Sequence, residues 1–256
     1  MFDRSQFVRP IAHRGLHDAA AGRIENTLPA FEAALAGGYG IECDLQPAAD
    51  ATPMVFHDFR LDRLTSATGP IMGQSLPALR QARFPTAAGG EAVRIPTFGE
   101  LLDLVAGRVP LLVEVKSDWS EADPDFLARI AAIASGYRGP LALMSFDPAV
   151  MLALRRLAPA IPRGIVAGSY KPVPGNAWYA DVLGARERFL LRHLLRAIPT
   201  RPSFIAYHVA ALPTLATTIA RRLFGLPLFT WTVRTQADRA IAAREADAPI
   251  FEGYRP

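Results

Sequence analysis

Residues 39–58 read YGIECDLQPAADATPMVFHD, and their reading decides the architecture. Tyr39 to Leu45 is an apolar run carrying Glu42 and Asp44, and on a strand two acids two apart share one face. Pro53 to His57 is a second extended run. Only Gln46 to Thr52 lies between them, too short for the dozen or more residues that a parallel crossover needs. The two runs therefore form a hairpin, which returns His57 antiparallel to the rim holding Glu42 and Asp44. Converging carboxylates repel one another, and a hard divalent cation is the usual relief. Glu114, at the end of the apolar run that begins at Val109, can add a third oxygen ligand. His13 and His57 are the natural proton carriers beside such a site.

Working outward, and setting the hairpin arm aside, eight runs read as strands: 10–13, 39–45, 111–116, 141–145, 163–167, 204–207, 228–233 and 249–252. Helical patterns fall between them. Thr27 caps one, with Pro29 in its first turn and Gly37-Gly38 at its end. Thr97 or Pro96 opens another that runs to Val105. Further helices are expected at 124–135, 148–157, 213–224 and 235–245. Strand and helix in alternation is the pattern of an α/β protein, a (β/α)8 TIM barrel. One such domain over residues 1–256 is expected. The hairpin and an irregular excursion at 59–95 follow its second strand and cover one side of the site. A less barrel-like insertion occupies 172–202. TIM barrels place their chemistry at the C-terminal ends of the strands, where His13, Glu42, Asp44, Glu114, Ser145 and Trp231 all fall.

Seven short clusters stand in order along the chain: His13-Arg14-Gly15, Glu25-Asn26-Thr27, Ile41-Glu42-Cys43-Asp44, Val55-Phe56-His57-Asp58, Glu114-Val115-Lys116, Ser145-Phe146 and Trp231-Thr232-Val233. In identity and order they resemble the glycerophosphodiester phosphodiesterase family. That resemblance implies a metal-dependent enzyme that cleaves glycerophosphodiesters to glycerol phosphate and an alcohol. It implies His13 and His57 as the acid/base pair, one activating the attacking oxygen and one protonating the leaving alcohol, without saying which does which. It leaves open whether water or the glycerol 2-hydroxyl attacks.

Glu42, Asp44 and Glu114 are the expected metal ligands, and their oxygen-only character selects Mg²⁺ or Ca²⁺ over zinc. The competing reading pairs these acids with arginines, but a buried carboxylate cluster without a cation is costly. Arg14 and Lys116 are candidates to hold phosphate oxygens; Arg14 can instead hold Glu25 or Glu42 in place. Trp231 offers an apolar wall for glycerol carbons, or is core. Glu25 ranks below Glu42 as a ligand, and His208 is a substrate-side candidate. The chain departs from the family twice near its end. Ile250-Phe251-Glu252-Gly253 stands where a strand reading I-I-T-D is common, and Arg234 stands where asparagine often follows W-T-V.

Composition narrows the alternatives. Half the residues are hydrophobic and 20% are charged, a globular balance. Twenty-six arginines against two lysines, Lys116 and Lys171, favour phosphate-bearing partners or reflect a GC-rich coding sequence. Basic runs interleaved with aromatics are missing, so nucleic acid is not an expected partner. The lone Cys43 rules out an internal disulfide and suits a reducing compartment; it reads as a small buried hydrophobe. Met1 to Val8 shows no signal peptide, and Phe204 to Leu228, the longest apolar stretch, is broken by His208, Pro213, Arg221 and Arg222. A soluble, cytoplasmic protein is expected. Glu187 to Ile198 reads as an amphipathic helix, with Leu190, Leu191, Leu194, Leu195 and Ile198 opposite Arg188, Arg192 and Arg196. Such a helix packs on its own barrel or lies on an anionic membrane surface. Two rival functions remain: a phospholipase D-like or lysophospholipid-cleaving enzyme of the same superfamily, and a catalytically silent phosphoester-binding protein.

Overall fold

The structure, a computed structural model, describes residues 2–84, 93–171 and 182–256. Its strands are β1 (Ile11–Ala12), β2 (Gly40–Pro47), β3 (Pro53–Val55), β4 (Leu111–Val115), β5 (Leu141–Ser145), β6 (Arg163–Ala167), β7 (Phe204–His208), β8 (Leu228–Val233) and β9 (Ala248–Phe251). The sheet runs β1-β9-β8-β7-β6-β5-β4-β2-β3, and a further β1–β2 pairing closes it. Every pairing around the ring is parallel, while β3 lies antiparallel on the upper end of β2 with Leu45 opposite Val55. The expected eight-stranded barrel and hairpin arm are both present. Strands such as β4 are buried on both faces, as a parallel sheet covered by helices requires.

The helices are α1 (Arg4–Phe7), α2 (Leu28–Ala36), α3 (Leu76–Gln81), α4 (Phe98–Val105), α5 (Pro124–Gly136), α6 (Pro148–Leu157), α7 (Ala185–Arg192), α8 (Leu215–Arg222) and α9 (Gln236–Glu245). α4 opens with a capping box in which Thr97 and Glu100 satisfy each other's backbone N–H groups. α2 begins where expected, but its Thr27 hydroxyl donates to the Ile24 carbonyl at 2.6 Å and leaves the helix end uncapped by a side chain. The excursion after β3 is less irregular than its prolines suggest. It contains α3, capped by Ser75, and a satellite core in which Phe56, Leu61, Ile71, Leu79, Phe84 and Ile95 pack together. Of that excursion, residues 85–92 lie outside the described residues, as do 172–181 of the insertion at 172–202.

One expectation is corrected. The helix expected over Glu187 to Ile198 stops at Arg192. Leu194 adopts the left-handed region, φ 58°, and the Tyr207 hydroxyl lies 2.9 Å from the Arg192 carbonyl, taking a group that a longer helix would use itself. The apolar side is split as a result: Leu191 and Leu194 are buried, while Leu195 and Ile198 are exposed. The amino-terminal residues form α1 and stopper the barrel. Phe7 is buried and Phe2 stacks on it at 4.5 Å and tilts over Phe204 at 5.1 Å. Above them Ile11, Leu112, Ala142, Val166, Ala206, Phe229 and Ile250 fill the interior. The Phe204 ring occupies the space that a Cβ at Gly164 would take. Among the described residues these side chains pack the lower half of the barrel, which leaves room for a ligand at the C-terminal ends of its strands. Among the described residues no helix is long and apolar enough to cross a membrane.

Candidate active site

β2 and β4 are hydrogen-bonded neighbours with Asp44 opposite Glu114. The two-residue period then puts Glu42, Asp44 and Glu114 on the inner face of adjacent strands. Each offers an oxygen within 4.8 Å of the others, and all three are buried. The chain after β1 turns in the left-handed region at Arg14 (φ 56°) and Gly15 (φ 80°). A side chain at Gly15 would press on Ala30 and Phe31 at 2.9 Å. This turn lets the Arg14 N–H donate to Glu42 Oε2 at 3.0 Å. Asn26 donates to Asp44 Oδ2 at 2.8 Å, and Lys116 Nζ lies 2.9 Å from Asp44 and 2.7 Å from Glu114.

The charges around the three acids are unevenly shared. Burial, with Asp44 and Glu114 adding repulsion, pushes the Glu42 carboxyl well above the ordinary range despite Arg14. Burial works in the same direction on Asp44, but there Lys116, His57, Arg14 and the Asn26 hydrogen bond prevail and hold the carboxyl well below its ordinary value. The cluster thus has more negative charge than its cations can neutralise, and a donor set of three carboxylates suits a hard divalent cation. The residues fit a metal ion.

Each histidine is held by a carboxylate of its own. His13, just past β1, has Nδ1 2.8 Å from Glu252 Oε2, and its Nε2 faces Glu42 Oε2 at 3.9 Å. Burial lowers the His13 pKa to about 4, with Arg14 adding to the effect and Glu252 opposing it. Although burial disfavours its charge, hydrogen bonds from His13 and Arg234 keep the Glu252 carboxyl below its ordinary value. An ionised carboxylate can only accept, so His13 Nδ1 carries the proton and Nε2 the lone pair. His57, brought in by the hairpin, has Nδ1 2.7 Å from Asp58 Oδ1. The Phe56 N–H donates to the Asp44 carbonyl at 3.0 Å and fixes the arm against β2. Arg63 grips Asp58 at 2.6 Å and Glu25 at 2.8 Å, and Glu25 accepts from Arg14 at 2.7 Å.

Seven residues singled out from the sequence, His13, Arg14, Glu42, Asp44, His57, Glu114 and Lys116, therefore come together at one end of the barrel. They line a cavity of about 1110 Å³. Trp231 lines its wall, edge-on to Phe146 at 5.4 Å and tilted over His208 at 4.9 Å. Its indole N–H is buried and has no hydrogen-bond partner among the described residues. Glu25 stands apart from the acid cluster and bridges Arg14 to Arg63. The Ser145 hydroxyl donates to the Val115 carbonyl at 2.7 Å, a structural bond. Cys43 points outward into the core. Arg63 was not foreseen, and neither were the roles of Asp58 and Glu252. Asp58 follows its histidine directly, whereas only barrel closure brings Glu252 to His13.

The family model described as the glycerophosphoryl diester phosphodiesterase family matches residues 13–248. A Mycobacterium tuberculosis protein named probable glycerophosphodiester phosphodiesterase 1 is 33% identical over 195 residues, spanning 68% of this chain and 69% of that protein. Among solved structures, an Oleispira antarctica phosphodiesterase in complex with the product sn-glycerol-3-phosphate superposes with a TM-score of 0.74 at 20% identity, covering 96% of this chain and 93% of the other. Glycerophosphodiester phosphodiesterase from Agrobacterium tumefaciens gives 0.70 at 23% identity, with 95% of each chain covered. At these identities the two structures speak for the fold.

Proposed function

The chain belongs to the glycerophosphoryl diester phosphodiesterase family, and from that premise we propose that it hydrolyses glycerophosphodiesters to glycerol phosphate and an alcohol. The observation that carries the reading is the meeting, at one barrel mouth, of three buried carboxylates with two histidines whose Nδ1 atoms are each engaged by a further carboxylate. A binding protein for phosphoesters has no need of that pairing.

The tautomer of His13 assigns it the base, which leaves the acid to His57. His13 Nε2, unprotonated and facing the acid cluster, accepts the proton of the attacking oxygen as that oxygen bonds to phosphorus. His57 supplies a proton to the alcohol oxygen as its bond to phosphorus breaks. Arg14 and Lys116 place positive charge beside the phosphoryl oxygens. Trp231 offers its ring to the glycerol carbons. One divalent cation, Mg²⁺ or Ca²⁺, would be held by Glu42, Asp44 and Glu114 and would offset phosphate charge.

The test is release of glycerol phosphate from glycerophosphocholine and glycerophosphoethanolamine, with EDTA and with added Mg²⁺ or Ca²⁺. Cation-dependent release is expected. His13→Ala and His57→Ala should each lower turnover by about 10²- to 10⁴-fold while still binding the cation. Glu42→Ala should instead regain part of its activity at high cation concentration. Cleavage of lysophospholipid alone would shift the assignment to a lipid-cleaving enzyme.

A further inference from the structure

Two features looked unrelated in the sequence, Glu252 and Arg234, each a departure from the family pattern. In the structure they are one assembly. Arg234 follows β8 and Glu252 follows β9, and the Glu252 N–H donates to the Val233 carbonyl at 3.1 Å, which locks the two strand ends together. The Arg234 guanidinium donates to Glu252 Oε2 at 2.9 Å, and the same oxygen faces His13 Nδ1 at 2.8 Å. His17 Nε2 lies 3.9 Å from that oxygen and has no hydrogen-bond partner among the described residues. Glu252 is not one of the three clustered acids, yet it touches His13, whose Nε2 faces them.

We propose that Glu252, clamped by Arg234, is a positioning residue for His13: by accepting the Nδ1 proton it fixes the tautomer and turns Nε2 toward the reacting centre. The proposal rests on the assignment of His13 to the chemistry. A neutral imidazole has two tautomers, and only the one protonated at Nδ1 leaves Nε2 free to take a proton. Without the carboxylate the ring is free to rotate and to carry its proton on the wrong nitrogen. Arg234 is half-exposed, so its pairing adds little to stability. Its contribution is to keep the flexible Glu252 side chain ionised and in place.

The experiment combines kinetics with nitrogen NMR of the histidine rings at pH 7, on the full chain, for wild type, Glu252→Ala, Glu252→Asp and Arg234→Gln. The expected result is that Glu252→Ala lowers kcat by at least about 10-fold, with KM changed less than twofold and the melting temperature preserved. Its His13 signals should move from the Nδ1-protonated pattern to a mixture. Glu252→Asp should recover part of kcat, and Arg234→Gln should fall between wild type and Glu252→Ala. A kcat unchanged in Glu252→Ala, or an Nδ1-protonated His13 persisting in it, overturns the proposal. If the wild type turns over no phosphodiester, the functional assignment fails by itself. The ring signals then still decide whether Glu252 fixes the tautomer.

Discussion

Lys116 stands where two buried acids meet, 2.9 Å from Asp44 and 2.7 Å from Glu114. Its ammonium is held charged, well above its ordinary pKa, because those two carboxylates outweigh its burial. Removing one partner of a buried ion pair costs about 3–5 kcal/mol, and here it would leave the acids to their mutual repulsion. Lys116→Met is therefore expected to melt well below wild type in EDTA and to gain more from added Mg²⁺ or Ca²⁺ than wild type does. Thermal melts with and without cation measure this, and equal cation shifts in both proteins would refute it. At this scale the sequence was informative wherever spacing alone fixes a face. Glu42 and Asp44 are two apart on a strand, and Lys116 follows Glu114 by two, so their convergence needs only the pleat. Arg63 carried no such signal. It reaches Asp58 and Glu25 through a loop whose course depends on the satellite core beneath it.

Among the elements, the hairpin arm was legible because its connection is too short for anything else. The end of α7 was not, because what stops the helix comes from another part of the chain. Tyr207 points outward from β7 with its ring fully buried, and its hydroxyl sits 3.0 Å from the Gly168 carbonyl and 2.9 Å from that of Arg192. The apolar and arginine periodicity of residues 187–198 runs straight through this stop. Burial raises the Tyr207 phenol to about 12, against 10 for an exposed tyrosine. The unfolded chain therefore loses this proton first. The stability that the phenol contributes is complete below pH 10 and is lost as pH rises toward 12. In denaturant titrations Tyr207→Phe should be less stable than wild type by about 1 kcal/mol at pH 8, the worth of a hydrogen bond. The gap should narrow steadily above pH 10. A gap constant to pH 12 would mean that the phenol does not titrate with unfolding.

On the scale of the whole molecule, the barrel has a packed end and a reactive end, and the amino-terminal segment belongs to the first. Its two phenylalanines were legible only as residues in a charged stretch, since nothing local indicates that the barrel's lower opening will be directly beneath them. Phe7 is 3% exposed, and replacing such a side chain by alanine costs about 3–5 kcal/mol. Phe7→Ala should lower the unfolding free energy by that amount while leaving kcat near wild type under stabilising conditions, because the interior side chains separate it from the cavity. A large fall in kcat with little loss of stability would show that the two ends communicate.

His13 and Glu252 are 239 residues apart in sequence, and the seam between β1 and β9 is where they meet. Contacts so distant along a chain carry a high loop-closure cost and form late in folding. A refolding chain can regain most of its helices, and several neighbouring strand pairs, before this seam exists. Catalytic competence should accordingly reappear after far-ultraviolet ellipticity does, in step with the final joining of the ring. Enzyme activity then becomes a clock for topological closure rather than for secondary structure.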